Sequence, residues 1–430
     1  MKTAGFSVEK AYCIGIGGIG MSALAQYLSD KGVVVTGSDR ARSPVTELLE
    51  KKGIRVIVPQ RAENVPMDAD VVIYSDAVAA DNEERAEAAR RGIPERSYFE
   101  MLGQVSSPMR TIAIAGTHGK TTTTGMLACI LHDAGASPTA IVGSIVRDFG
   151  SNYLAGTSEL FVVEACEYRD HLLELSPSVL VITNLEWDHT DYFPSLAALQ
   201  DTFRKAIERV PADGVIVTDL GNEAIAPLLK DAQARVVDYM EEPSYTLALP
   251  GEFNMMNARA AAAAARAIVP SLPDAALARS LSGFLGTWRR FEYKGKTGNG
   301  ALVYDDYAHH PTAVSSTLAA LRATTKGRLF VVFQPHLFSR TRDLFSDFAR
   351  AFKDADRVFL APIYAAREDD DGSVSSERLA ESIRTNDVNA EAFDSFEAIL
   401  PSLAEAGPDD VIMTMGAGDI YKVAQTLVAS

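Results

Sequence analysis

Short apolar runs and amphipathic stretches alternate along the whole chain. "AYCIGI" at 11–16 precedes a stretch with helical spacing of apolar positions over 19–31. "VVVTG" at 33–37 precedes a second helix near 44–52, and "DVVIYS" at 70–75 precedes a third across 81–92. "TIAIAG", "LFVVEA" and "VLVITN" are uninterrupted apolar runs, as strands covered on both faces require. "ALVYDD", "RLFVVF", "RVFLAP" and "DVIMTM" continue the series to residue 415, each followed by a turn or helix. This alternation predicts an α/β chain of parallel sheets with helices on both faces.

Three nucleotide-type beginnings divide the pattern. The first stretch, 1–106, closes at the polar segment "GQVSSPMR", which contains Pro108. The second, 107–288, starts at "TIAIAG" and includes the alanine-rich helix "NARAAAAAARAI". The third, 289–430, opens in "TWRRFEYKGKTGNG", read as a glycine-rich turn region. A chain of 430 residues is long enough for several such cores.

Composition narrows the function. Hydrophobic residues make up 47% and charged residues 23%, as in globular proteins. The formal net charge of −16 argues against a nucleic-acid partner, because a polyanion selects the opposite sign. Cys13, Cys129 and Cys166 lie far apart without CxxC spacing, so neither a disulfide framework nor a zinc site is expected. "MKTAGFSVEK" lacks an apolar leader core and no run approaches membrane-span length; a cytoplasmic protein without a membrane partner is expected. The acidic stretch "REDDDGS" reads as a solvated loop.

Two glycine-rich turns carry the first chemistry. Gly15, Gly17 and Gly20 form GxGxxG between a strand and a helix, and Asp39 follows where a ribose-binding carboxylate would stand. The second turn, "AGTHGKTTTT", also joins a buried strand to a helix. Gly116 and Gly119 let backbone N–H groups face phosphate, Lys120 supplies a cation, and Thr121 or Thr122 offers a hydroxyl to Mg²⁺. It is shorter than the common P-loop, with Ile114 where GxxxxGK has its first glycine.

Later strand ends extend the set. Glu164 closes "LFVVEA", where a carboxylate can hold a metal that bridges phosphates. Asn184, Asp188 and His189 follow "VLVITN", and His189 can ligate a metal. Asn254 and Asn257, three apart, share a helix face; Asn donates and accepts as an adenine edge demands, while N-capping is the plainer role for Asn254. Arg289 and Arg290 can clamp phosphate, and Asp306 can meet a ribose. His309 and His310 precede Pro311 at a helix entry, where one of them can cap or pack. His336, Arg340 and Arg342 follow another strand and form a candidate carboxylate pocket.

In this order, "GIGGIGMS", "GTHGKTT", "EACEY", "TNLEWDH", "GEFNMMNARAA", "RRFE", "DDYAHHPT", "FQPHLFSRTRDLF" and "MGAGDIY" resemble the Mur ligase family, ATP-dependent amino-acid ligases of cell-wall precursor synthesis. The resemblance spans essentially the whole chain. It implies a Rossmann-like N-terminal domain for a UDP-sugar, a central P-loop ATPase domain and a C-terminal Rossmann-like α/β domain for the amino acid. The alanine-adding branch is the nearest in pattern, which implies UDP-N-acetylmuramate, L-alanine and ATP as substrates, Mg²⁺ (or Mn²⁺) as cofactor, and a monomer or homodimer.

The resemblance also assigns residues. Gly17, Gly18, Ile19, Gly20, Met21 and Ser22, with Asp39 and Ser75, would face the UDP-sugar. Gly116, Thr117, His118, Gly119, Lys120, Thr121 and Thr122 would cradle ATP, joined by Asn254, Asn257, Arg290 and Asp306. Thr121, Glu164 and His189 would hold the metal. His309, His336 and Arg340 would meet the amino acid, with His309 the candidate for deprotonating its amine. Leu337 stands where many relatives carry Arg, so carboxylate recognition leans on Arg340. Arg204 occupies the position of a carbamylated lysine found in some relatives, with Lys205 beside it, and no carbamate is expected.

Three rival readings use parts of the pattern. A recycling ligase that attaches a tripeptide to the same nucleotide sugar shares most motifs, although "EACEYRDHLLEL" favours the alanine-adding branch. An NAD-dependent dehydrogenase explains Gly15–Gly20 and Asp39 but not the second phosphate turn. A non-catalytic UDP-sugar-binding protein leaves Lys120, Glu164 and His189 without a purpose.

Overall fold

The computed structural model describes residues 2–3 and 6–429. The chain packs as two compact units. The first comprises Met1–Leu185, Gln200–Thr246 and Asn257–Gly283; the second comprises Glu186–Leu199, Leu247–Met256 and Phe284–Ser430.

Two sheets organise the first unit. A five-stranded parallel sheet has the order Arg55–Ile57, Val34–Ser38, Lys10–Ile14, Val71–Tyr74, Glu95–Ser97. The chain winds outward in both directions from Lys10–Ile14, so the glycine turn after that strand lies at a topological switch point, where such sheets bind ligands. The predicted helices form over Ile19–Asp30, Pro44–Lys51 and Glu83–Arg91. Ser43 and Asn82 cap the latter two, and Gly92 ends the last with a φ of 70°.

The second sheet has seven strands, in the order Ser151–Leu154, Thr139–Val146, Leu160–Glu164, Arg110–Ala115, Val179–Ile182, Val215–Thr218, Arg235–Asp238. All pairs are parallel except the Thr139–Val146/Ser151–Leu154 hairpin, which the apolar pattern did not predict. The helix Ile19–Asp30 packs on this hairpin. Tyr27 lies edge-on to Tyr153 and Phe161, with centroids 6.3 and 5.9 Å away. Beside it Gln26 Nε2 donates to Asn152 Oδ1 (2.9 Å), Ser151 Oγ donates to Gln26 Oε1 (3.0 Å), and Asn152 Nδ2 donates to Ser22 Oγ (2.8 Å). Each of these buried amides is answered on both of its polar ends, which keeps the network from costing stability.

A six-stranded sheet forms the second unit, in the order Glu292–Lys296, Leu302–Asp306, Val411–Met415, Leu329–Phe333, Arg357–Leu360, Asn389–Ala392. The segment "EYKGK", read from sequence as a turn, is instead an antiparallel edge strand whose register shifts between Tyr293 and Gly295. The other pairs are parallel, and Phe330, Val331, Val332 and Phe333 are fully buried, as a strand covered on both faces predicts. Among the described residues no helix is long and apolar enough to cross a membrane.

Candidate active site

In the first unit, the glycine turn is built so tightly that side chains would not fit. Gly15 has a φ of 76°, and a Cβ on Gly17 would stand 2.8 Å from both Asp39 Oδ2 and Thr46 Cγ2. Asp39 Oδ2 accepts from Gly17 N (2.8 Å), so this carboxylate shapes the turn itself. Gly18 is the N-cap of the helix Ile19–Asp30 and brings the helix's unpaired N–H groups to the turn. Ser75 closes the far side, with its Cβ 3.1 Å from where a Gly15 Cβ would be. Met21 and Ser22 are buried, and Ser22 N donates to Gly18 O. The Ser22 hydroxyl also joins the Gln26–Asn152 network.

The second turn is held by residues the motif does not contain. Asn184 Oδ1 accepts from His118 N (2.9 Å) and its Nδ2 donates to His118 O (3.0 Å), while Thr117 N donates to Asn184 O (3.2 Å). The amides of Thr117 and His118 are thus committed within the protein. The helix Lys120–Asp133 begins here, entered through Gly119 at a φ of 82°. A Cβ on Gly119 would lie 2.1 Å from Asn257 Oδ1, which packs Asn257 directly on the turn.

Lys120 Nζ donates to Glu167 Oε1 (2.9 Å) and to the carbonyls of Gly116 and Thr117. Burial opposes its charge, but Glu167, Cys166 and Glu164 outweigh it and hold its pKa above the usual lysine value. Glu167 was not singled out in the sequence; only its place in "EACEY", three residues past Glu164, hinted at a role. Thr121 Oγ1 donates to Glu164 Oε2 (2.9 Å), and Gly143 N donates to the same oxygen (3.0 Å). A hydroxyl and a half-buried carboxylate thus meet beside the phosphate turn, an oxygen donor set suited to a hard divalent cation.

The second unit gathers the histidines. His310 is the N-cap of the helix Pro311–Arg322: its Nδ1 accepts from Thr312 N (3.3 Å) and its Nε2 lies 3.3 Å from Trp187 O. His309 Nδ1 donates to Tyr307 O (2.8 Å), so its Nε2 carries the lone pair. Burial and the Arg340 guanidinium hold His309 well below the usual histidine pKa and keep it neutral. The His336 and His309 rings are 5.8 Å apart, and His336 also stacks on Tyr364 at 5.5 Å. Burial, Arg340 and Arg367 push His336 down to about 3.

Arg340 is almost fully buried. Its Nε donates to Asp188 Oδ1 (2.7 Å) and its Nη1 to His336 Nδ1 (3.0 Å), so two of its three nitrogens are spent inside the unit. Burial alone would raise Asp188, but Arg340, His189 and the neighbouring histidines outweigh it and hold the carboxyl well below its usual range. The same Asp188 Oδ1 accepts from His189 N (2.6 Å) and so fixes His189, which sits at a φ of 52°. Leu337 is buried at a φ of 72°, a left-handed conformation that favours glycine and marks strain at the start of the helix Phe338–Asp343.

The paired arginines part company. Arg289 is buried, with Nε on Asp305 Oδ2 (2.9 Å) and its remaining nitrogens on the carbonyls of Gly418 and Gly416, which removes it as a phosphate clamp. Arg290 lies 4.9 Å over the Tyr307 ring. Asp306 accepts from Phe291 N (2.6 Å) and Ala308 N (2.7 Å); burial raises its pKa to about 6 despite Arg290 and those amides. Asn254 is not a cap: the helix already begins at Glu252, and Asn254 Nδ2 donates back to Pro250 O (2.7 Å).

Sheets with phosphate-type turns at their strand ends, and a third sheet bearing neutral histidines and a buried arginine, define a nucleotide-dependent class, and the chain belongs to the Mur ligase family. Residues 10–110 match its "Mur ligase family, catalytic domain", 114–246 its "Mur ligase middle domain", and 289–418 its "Mur ligase, glutamate ligase domain". The chain is 38% identical to a UDP-N-acetylmuramate–L-alanine ligase of Acetivibrio thermocellus, across 97% of its own length and 95% of the relative's. The crystal structure of the UDP-N-acetylmuramate–alanine ligase of Thermotoga maritima matches with a TM-score of 0.79 and 28% identity over 98% of each chain. A murein peptide ligase of Psychrobacter arcticus shares the fold, with a TM-score of 0.75, 24% identity and 98% of each chain covered.

Proposed function

We propose that this protein joins L-alanine to the lactyl carboxylate of UDP-N-acetylmuramate at the expense of ATP, in peptidoglycan precursor synthesis. Near-full-length identity to ligases of that name supports the substrates. The observation that supports the chemistry is the meeting of Lys120, Thr121 and Glu164 at one helix N-terminus. In this reading 1–106 binds the sugar nucleotide, 107–288 binds ATP and 289–430 binds the amino acid.

The muramate carboxylate attacks the γ-phosphorus, ADP leaves, and an acyl phosphate forms; the alanine amine then attacks its carbonyl and phosphate leaves. Lys120 and the helix N–H groups bind and orient the phosphates. Thr121 and Glu164, with His189, would hold Mg²⁺, which supplies charge neutralisation on the phosphates when bound. Asn257 and Asn254 serve the adenine side, and Arg290 and Asp306 the ribose and phosphates. His309 Nε2, kept unprotonated, takes the proton that the alanine nitrogen loses as its bond to the acyl carbon forms, when that nitrogen is most acidic. Arg340, backed by Asp188, orients the alanine carboxylate.

Purified protein should release phosphate with MgATP, UDP-N-acetylmuramate and L-alanine together, well above the control lacking the sugar nucleotide. Glycine, L-serine and the recycling tripeptide serve as competing acceptors in the same assay. No sugar-dependent release, or faster release with the tripeptide, would overturn the reading.

Gly143 offers a separate check of the metal role. A Cβ there would stand 2.1 Å from Glu164 Oε2 and must displace that carboxylate. Gly143→Ala is expected to raise the Mg²⁺ concentration for half-maximal turnover about tenfold, the scale of a lost supporting contact around a metal. An unchanged Mg²⁺ titration would remove Glu164 from the metal's ligands.

A further inference from the structure

We propose that Tyr98 is an acceptor-binding residue, whose hydroxyl donates a hydrogen bond to the sugar-side phosphate of the sugar nucleotide. The inference rests on assigning the Gly15–Gly20 turn to that nucleotide.

The phenol occupies the space that a side chain at position 20 would need. A Cβ on Gly20 would lie 2.7 Å from Tyr98 Cζ and 2.8 Å from its hydroxyl oxygen. The hydroxyl therefore stands at the start of the helix Ile19–Asp30, where a pyrophosphate meets the N–H groups. Glu164 and Cys166 from the strand end of the second sheet, and Asp76 from that of the first, act on it; with burial they hold the phenol above its usual pKa, so it remains a donor. The hydroxyl thus adjoins the glycine turn and feels the charge of the Glu164 carboxylate. No protein atom among the described residues takes its hydrogen bond.

The ring is also held in place. Tyr98 follows Ser97, the N-cap of the helix Tyr98–Ser106, and packs edge-on against Phe99 with centroids 4.7 Å apart. Phe99 stacks on His171 at 3.8 Å, and His171 Nε2 lies 3.4 Å from Asp76 Oδ2. Burial and Arg169 lower His171 to about 4, so this stack carries no positive charge of its own at neutral pH. An aromatic donor held this firmly loses little freedom when it binds.

The test is Tyr98→Phe, which keeps the ring packing and removes only the hydroxyl. Direct binding of UDP-N-acetylmuramate and of UMP is measured without ATP, followed by steady-state kinetics. The variant should weaken UDP-N-acetylmuramate binding and raise its KM about ten- to a hundredfold, the range of one lost hydrogen bond to a charged group. UMP binding, kcat and the KM for ATP should stay within about twofold. Unchanged UDP-N-acetylmuramate binding, or an equal loss for UMP, would overturn the contact. Wild-type protein that binds no UDP-N-acetylmuramate would instead overturn the assignment of the turn, and the inference with it.

Discussion

Lys120→Ala is expected to lower turnover by about 10³-fold, the scale seen when a preorganised cationic or hydrogen-bond donor to a transferring group is removed. The substitution has a second consequence. Glu167, only 1% exposed at its side chain, loses the 2.9 Å partner that balances it. A buried carboxylate that loses its counter-ion costs about 3–5 kcal/mol, so the single variant should also melt early. Lys120→Ala combined with Glu167→Gln separates the two effects. The double variant should regain most of the thermal stability and none of the turnover. If it recovers both, Lys120 acts as a structural counter-ion and not on phosphate.

Breaking the Arg340–Asp188 pair should produce the largest loss of stability in the second unit. Their side chains are 2% and 5% exposed, and the link joins residues 152 positions apart. Arg340→Met leaves Asp188 buried and unbalanced, and about 3–5 kcal/mol of destabilisation is expected from denaturant unfolding at neutral pH. The pH dependence has a definite sign. Asp188 titrates lower in the folded protein than in the unfolded chain, whose value is about 3.9. The pair's contribution is therefore complete above that value and is lost as pH falls through the folded pKa. The gap between wild type and Arg340→Met should narrow under acid; a gap that widens would mean that the pair is not what stabilises the unit.

The parts of the molecule legible in the sequence are those with local causes. Strand and helix alternation predicted the parallel sheets because burial on both faces leaves uninterrupted apolar runs. The two glycine turns were legible because their glycines and the helix start that follows must be neighbours in the chain. Asn184, Glu167 and Gly143 were not legible in their roles, because each acts on a group brought near only by folding: Asn184 on His118, Glu167 on Lys120, Gly143 on Glu164. Arg289 and Arg290 were indistinguishable in sequence, since only the sheet decides that Asp305 takes the first. The edge strand Glu292–Lys296 escaped notice because an exposed antiparallel edge does not need the apolar run that marks the inner strands.

The buried amides of Gln26 and Asn152 have a consequence for rate. They tie the helix that follows the glycine turn to the hairpin of the neighbouring sheet, the sheet that also carries the phosphate turn and Glu164. The two glycine turns are thus joined through a hydrogen-bonded network inside one packed unit. In the proposed reading, carboxylate and γ-phosphate then meet at an effective molarity set by this packing, and not by diffusion. Well-oriented intramolecular reactions reach about 10⁵–10⁸ M on this measure. A pair of uncharged side chains remote from any reacting atom can in this way supply part of the acceleration.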